Sequence, residues 1–209
     1  MNRENGFMNQ MMDTGYVRIL HAVPDAPNVD VYANDTLLVQ NLAYGKNTGY
    51  MMVPAGTYQV TIYATGTKAN PVLSKMLTVG RNDVVTAAAA GMLQSIELLA
   101  IPDADIQSVS NKALVRFIHL SPNAPAVDIT LPDGMILFSN VAFKHMTDYI
   151  PVNQMTYTLQ VRVAGTDQVV LTVPGVSVRN NNYYSVYAIG LVGKNPALQA
   201  LLLEDGDVR

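Results

Sequence analysis

VRILHAVPDAPNVDV at residues 17–31 returns 98 residues later as VRFIHLSPNAPAVDI at residues 115–129, and eight of the fifteen positions are identical. Each copy reads as an alternating run, a Pro-containing break and a second alternating run. Side chains of a strand point to opposite faces in turn, so this is a strand, a turn and another strand. The match resumes one residue out of step. NLAYGKNTGYMMVPAGTYQVTIYATGT (41–67) aligns with NVAFKHMTDYIPVNQMTYTLQVRVAGT (140–166), and IELLAIPDAD (96–105) with LQALLLEDGD (198–207). Self-similarity at one long period marks a duplicated structural unit.

The repeat divides the chain into an arm (1–14), a first domain (15–105), a connector IQSVSNK (106–112) and a second domain (113–209). Seven residues reach about 25 Å when extended, at about 3.3–3.6 Å per residue. The two domains are therefore expected end to end or side by side. Within copy one, short alternating runs are separated by ND, PAG, TGTKANP and RND, giving seven or eight strands at sandwich-like spacing. The Ala-rich stretch from residue 86 has helix-forming composition, but its counterpart YYSVYAIG is aromatic and β-branched, so both read as strand. The expected fold class is all-β, two tandem immunoglobulin-like or prealbumin-like β-sandwiches.

The string VRILHAVPDAPNVDVYANDTLL and its echo VRFIHLSPNAPAVDITLPDGMIL resemble domain-of-unknown-function family 4397, over both repeats and about nine tenths of the chain. VPAGTYQVTIYATGT is also similar to a strand of prealbumin-like and immunoglobulin-like modules. The resemblance implies a β-sandwich, often tandem and often surface-exposed, and implies no enzymatic activity.

Composition narrows the classes of function. Of 209 residues 49% are hydrophobic and 14% charged, enough apolar content to fill cores. The net charge is −3 and the 13 basic residues are scattered, without the clustered footprint that nucleic-acid binding needs. Absence of cysteine excludes disulfides, thiolate zinc sites and cysteine nucleophiles. The first fifteen residues carry no apolar signal region, and no apolar run is long enough to span a membrane. The expectation is a protein that is cytoplasmic, or that reaches a cell or spore surface by a non-classical route.

Within the opening motif, the charged and imidazole residues shared by the copies are Arg18 and Arg116, His21 and His119, and Asp30 and Asp128. Val17, Ile19, Val29 and Val31 share the parity of a core face, which puts Arg18 and Asp30 opposite and suggests a cross-strand ion pair between them. His21 falls at a strand end, where an imidazole can bond turn backbone. A metal or proton-transfer site of His21 with Asp25 or Asp30 fails on ligand count, since Asn123 replaces Asp25 and the remaining histidine, His145, aligns with Lys46. Tyr58 and Tyr157 recur just after a turn and suit a tyrosine-corner role, ring against the sheet and hydroxyl on nearby backbone. The acidic ends, Asp103 with Asp105 and Glu204 with Asp205 and Asp207, read as solvated termini or a weak Ca²⁺ site. Tyr183 or Tyr187 could lie exposed on one face.

No nucleophile elbow, phosphate loop or metal set is present, so no catalytic residue, metal or cofactor is assigned. The sequence points to a non-enzymatic structural or interaction module. Its arm or an edge strand would pair with a protein partner or a second copy. A glycan- or peptide-binding sandwich is the alternative, weakened for glycans by the absence of Trp.

Overall fold

Alternating residues build strands, and among the described residues they build sixteen. The computed structural model describes residues 13–104, 111–206 and 208. The first copy comprises β1 (Thr14–His21), β2 (Val29–Ala33), β3 (Thr36–Leu42), β4 (Asn47–Pro54), β5 (Gly56–Ala64), β6 (Pro71–Val79), β7 (Val84–Ala90) and β8 (Glu97–Pro102). The second comprises β9 (Ala113–His119), β10 (Val127–Thr130), β11 (Ile136–Val141), β12 (Ile150–Val152), β13 (Met155–Val163), β14 (Val169–Val178), β15 (Tyr183–Ile189) and β16 (Gln199–Asp205). Most of the proposed arm and connector lies outside the described residues. The Ala-rich run is strand β7, followed by a single 3-10 turn at Leu93–Ser95.

Each copy is a sandwich of two four-stranded sheets. The inner sheets run β4-β1-β7-β8 and β12-β9-β15-β16, the outer sheets β3-β2-β5-β6 and β11-β10-β13-β14. The first strand of each copy pairs parallel with the seventh, Val17 beside Val85 and Phe117 beside Val186. That pairing brings the start and the end of each copy into one sheet. Turn chemistry supports the layout. Asn34 and Asp35 take left-handed φ values of 45° and 65°, the geometry of a two-residue hairpin between β2 and β3. Gly91 and Gly190 close β7 and β15, where a Cβ would lie 2.6 Å from the Ser95 carbonyl and 2.2 Å from that of Ala197.

Three apolar clusters follow. One fills each sandwich: Val17, Ile19, Val29, Val31 and Ala87 contribute to the first, their counterparts Val115, Phe117, Val127, Ile129 and Val186 to the second. The third lies between the copies and joins Leu20, Ala88 and Ile101 to Ile118, Leu120, Tyr187 and Ile189. The copies therefore lie side by side with their inner sheets face to face. An inner sheet covered on both faces explains why every residue of β7 and β15 is buried. Tyr187 is fully buried and Tyr183 nearly so, which corrects the expectation that one of them is exposed.

The two cores are unequally filled. The first sandwich holds a cavity of about 50 Å³ lined by aliphatic side chains, Ala33 and Ala87 among them, and by Tyr58, against about 20 Å³ in the second. Ile19, Ala33 and Ala87 align with the bulkier Phe117, Leu131 and Val186, so smaller side chains leave the first core underfilled. Ala87→Val should then raise the unfolding free energy in urea by about 1 kcal/mol, from about 0.8 kcal/mol for each of two added methyl groups less some strain. Val186→Ala should lower it by about 1–3 kcal/mol.

Candidate functional site: a buried charge network shared by both copies

Parity places Arg18 opposite Val17 and Ile19, on the face of β1 that meets the other copy. Its side chain is 4% exposed. Nε and Nη2 donate to the Thr86 hydroxyl at 3.0 and 2.8 Å. Nη1 donates to the Glu204 carbonyl at 2.8 Å and Nη2 to Asp205 Oδ1 at 2.7 Å. The Tyr50 ring lies under the guanidinium, 4.6 Å from Cζ. Tyr50 OH and Thr86 Oγ1 both donate to Asp103, at 2.7 and 2.5 Å.

The second copy repeats this in reverse. Arg116 Nε donates to Ser185 Oγ at 2.7 Å, Nη1 to the Pro102 carbonyl at 2.7 Å, and Nη2 to Asp103 Oδ1. Tyr149 lies 4.6 Å under its Cζ and donates to Asp205 Oδ2 at 2.8 Å, and Ser185 Oγ donates to the same oxygen. Each arginine thus holds the carboxylate that ends the other copy's last strand, and that carboxylate also takes the hydroxyl hydrogens of its own inner sheet. The side chains of Asp103 and Asp205 are wholly buried.

Two guanidinium groups and two carboxylates balance, and every one is hydrogen-bonded, the condition for keeping charge in an interior. Burial and the nearby Asp205 push the Asp103 carboxyl up, against the pull of Arg18 and Arg116. Tyr50 and Tyr149 are driven well above the usual tyrosine range, first by burial and then by the carboxylates. Both arginines are held even more firmly protonated than usual: burial works against the charge, and the surrounding tyrosines and aspartates outweigh it. Tyr187 sits where copy one has Ala88; burial raises it to about 12, and its hydroxyl has no hydrogen-bond partner among the described residues. The tyrosines stay neutral donors and the arginines stay charged.

The pairing of Arg18 with Asp30 is overturned. β1 and β2 belong to different sheets, and Asp30 faces away from the second copy. Asp30 Oδ1 takes the Asn41 N–H at 2.8 Å and the Thr65 hydroxyl at 3.0 Å, and Oδ2 takes the Gly66 N–H at 3.1 Å. Burial tends to raise its carboxyl, but these three donors hold it below the usual carboxylate range. Asp128 does the same for Asn140 and Gly165, at 2.7 and 2.8 Å. Asn41 and Asn140 have left-handed φ of 58° and 52° where the register of β3 and β11 shifts, so each aspartate pins a bulge that Asn tolerates. The solvated-terminus reading of Asp103 and Asp205 is overturned as well, while Asp105 and Asp207 lie outside the described residues.

His21 and His119 lock the turns after β1 and β9. Nε2 faces the carbonyl of Pro27 at 3.0 Å and of Pro125 at 3.1 Å, and Nδ1 faces the N–H of Val23 at 3.3 Å and of Ser121 at 3.2 Å. A carbonyl only accepts and an amide only donates, so both rings are neutral with the proton on Nε2. Asp25, once weighed as a ligand partner, accepts the Leu93 N–H at 2.7 Å. Tyr58 OH donates to the Pro54 carbonyl at 2.5 Å and Tyr157 OH to that of Asn153 at 2.9 Å.

Sequence reasoning passed over Tyr50 with Tyr149 and Thr86 with Ser185, and it read Asp103 with Asp205 as solvated ends. All three pairs align in the repeat, and the retained hydroxyl in an otherwise apolar strand was the readable signal.

Arg18→Met leaves a buried carboxylate without its cation and should cost about 3–5 kcal/mol in urea unfolding. The double variant Arg18→Met with Asp205→Asn should cost less than the sum of the two singles. The histidines set a pH dependence. Burial lowers both, so stability is full above about pH 6.5 and is lost as pH falls through their depressed native values. Asp103 titrates in the opposite sense. The difference between wild type and His21→Gln with His119→Gln isolates the histidines, with a slope approaching about 1.4 kcal/mol per pH unit for each.

No curated protein matches the chain. Among solved structures, the chain is similar to the family-26 carbohydrate-binding module CBMbc of Eubacterium rectale Amy13K in complex with maltoheptaose. Identity is 10%, coverage 91% of this chain and 96% of that one, and the TM-score 0.29. It is also similar to the Bacillus anthracis TIE protein, at 12% identity over 89% of this chain and 34% of that one, with a TM-score of 0.26. The family model described as domain of unknown function DUF4397 matches residues 15–130 and 131–209, so its division falls after β10. The chain belongs to the DUF4397 family, in two tandem copies.

Proposed function

We propose that the chain is a non-enzymatic interaction module, two sandwiches clamped back to back that offer outer-sheet edges to a protein partner or a second copy. The observation that carries this reading is where the shared polar residues go. Arg18, Arg116, Asp103 and Asp205 are spent on one another, the histidines on turn carbonyls and Asp30 and Asp128 on backbone amides. Asp128 lines an outer-face pocket, but both its carboxylate oxygens already accept backbone amides, so none of these groups stands free to act on a substrate.

The outer sheets present what such a module needs. Their edge strands β6 and β14 have nine and ten residues, with one Lys in β6 and no charge in β14. Exposed Met76 and Val169 lie on them. Long, weakly charged edges are templates for main-chain pairing with another strand. No helix among the described residues is long and apolar enough to cross a membrane. A cell or spore surface is the setting proposed for such a module, and a glycan or peptide ligand is the alternative to a protein partner.

Sedimentation velocity over a range of concentrations tests the edge reading. The wild-type chain should associate reversibly, and Met76→Lys with Val169→Lys should weaken association while leaving the melting temperature unchanged. A chain that stays monomeric at every concentration would count against edge pairing between copies.

A further inference from the structure

The outer faces of the two copies differ at one place. On β10, Asp128 and Thr130 point away from the core residues Val127 and Ile129, and they stand across the ladder from Arg162 and Gln160 of β13. Asp128, Thr130 and Arg162 line the floor of a pocket of about 320 Å³. Ile136 and the turn carrying Gly165, Thr166 and Asp167 form its walls.

Two polar groups in this pocket have no partner among the described residues. Thr130 is 2% exposed and its hydroxyl is unpaired. Arg162 donates from Nη2 to Gln160 Oε1 at 2.8 Å and from Nη1 to Asp167 Oδ1 at 3.3 Å, but its buried Nε bonds nothing. Natural interiors rarely keep such groups unsatisfied. In copy one the equivalent residues are Tyr32 and Tyr63, whose rings pack edge to face with centroids 5.6 Å apart, capped by Lys68 Nζ 4.0 Å from the Tyr32 ring. Aromatic rings occupy in the first copy the space that the second leaves open.

The lining selects the ligand. Asp128 and Asp167 against Arg162 leave one net negative charge, which disfavours an anion, and a guanidinium among them disfavours a metal ion. A neutral group that both donates and accepts fits: it can accept from Arg162 Nε and exchange hydrogen bonds with the Thr130 hydroxyl and carboxylate oxygens. Ile136, 57% exposed, gives an apolar wall for C–H groups. The volume is at the low end for small-ligand sites, about 300–1,000 Å³. We infer that this pocket binds one pyranose ring of a neutral glycan, a ligand site on the second copy alone and independent of edge pairing.

Amide NMR titration of the whole chain tests it, with glucose, galactose, mannose and N-acetylglucosamine as probes and sodium sulfate and calcium chloride as parallel arms. At least one sugar should give saturable shifts at residues 130, 134, 165 and 166. Thr130→Tyr with Arg162→Tyr, which installs the residues of copy one, should weaken that binding by about tenfold or more. Arg162→Met keeps the pocket open and removes the Nε donor, so it should weaken binding even if the tyrosine variant fails to fold. Silence to all four sugars, shifts unchanged in a folded variant, or saturation by sulfate or calcium in place of sugar would overturn the assignment.

Discussion

The reciprocal exchange between Arg18 with Asp205 and Arg116 with Asp103 is the constraint on which the rest depends. Carboxylates at the end of β8 and β16 can be buried only because the other copy supplies a cation, and each arginine only because a hydroxyl, a carbonyl and an aromatic ring complete its shell. The parallel pairing of the first and seventh strands puts the hydroxyl beside the arginine, with Arg18 opposite Thr86 and Arg116 opposite Ser185. Removing either copy would expose the other's half of the apolar layer, Leu20 and Ala88 or Ile118 and Tyr187, and leave its arginine and aspartate without their closest partners. The duplication therefore makes one structural unit.

Much of this was legible in the sequence. The repeat, the strand runs and the β character of the Ala-rich stretch follow from period two and from the agreement of two copies. Parity put Arg18 on the face opposite Val17. It could not say what covers that face, because alternation reports sides of a strand and not neighbours of a sheet. Asp30 was therefore chosen as the partner from the adjacent strand in sequence, although β2 lies in the other layer. Asp103 and Asp205 read as solvated ends for the same reason: in an isolated copy they would be, and their burial exists only across the interface. Tyr187 stands where copy one has Ala88, so the repeat carried no hint that it fills the space between the sheets.

The copies agree in the charge network that joins them and differ over much of what faces outward. Arginine, aspartate, tyrosine and hydroxyl positions recur at the interface, while the outer faces exchange Tyr32 and Tyr63 for Thr130 and Arg162. The cores differ as well, with Ile19, Ala33 and Ala87 against Phe117, Leu131 and Val186. A shared inner frame with divergent outer surfaces is the arrangement expected when duplication keeps the scaffold and changes what each half meets.

Differential scanning calorimetry of the chain measures directly whether the network joins the copies into one cooperative unit. The account predicts a single transition whose calorimetric and van't Hoff enthalpies agree. It also predicts that Arg116→Met splits that transition or lowers it as a whole. Two well-separated transitions in the wild type, each unmoved by removal of Arg116, would contradict it.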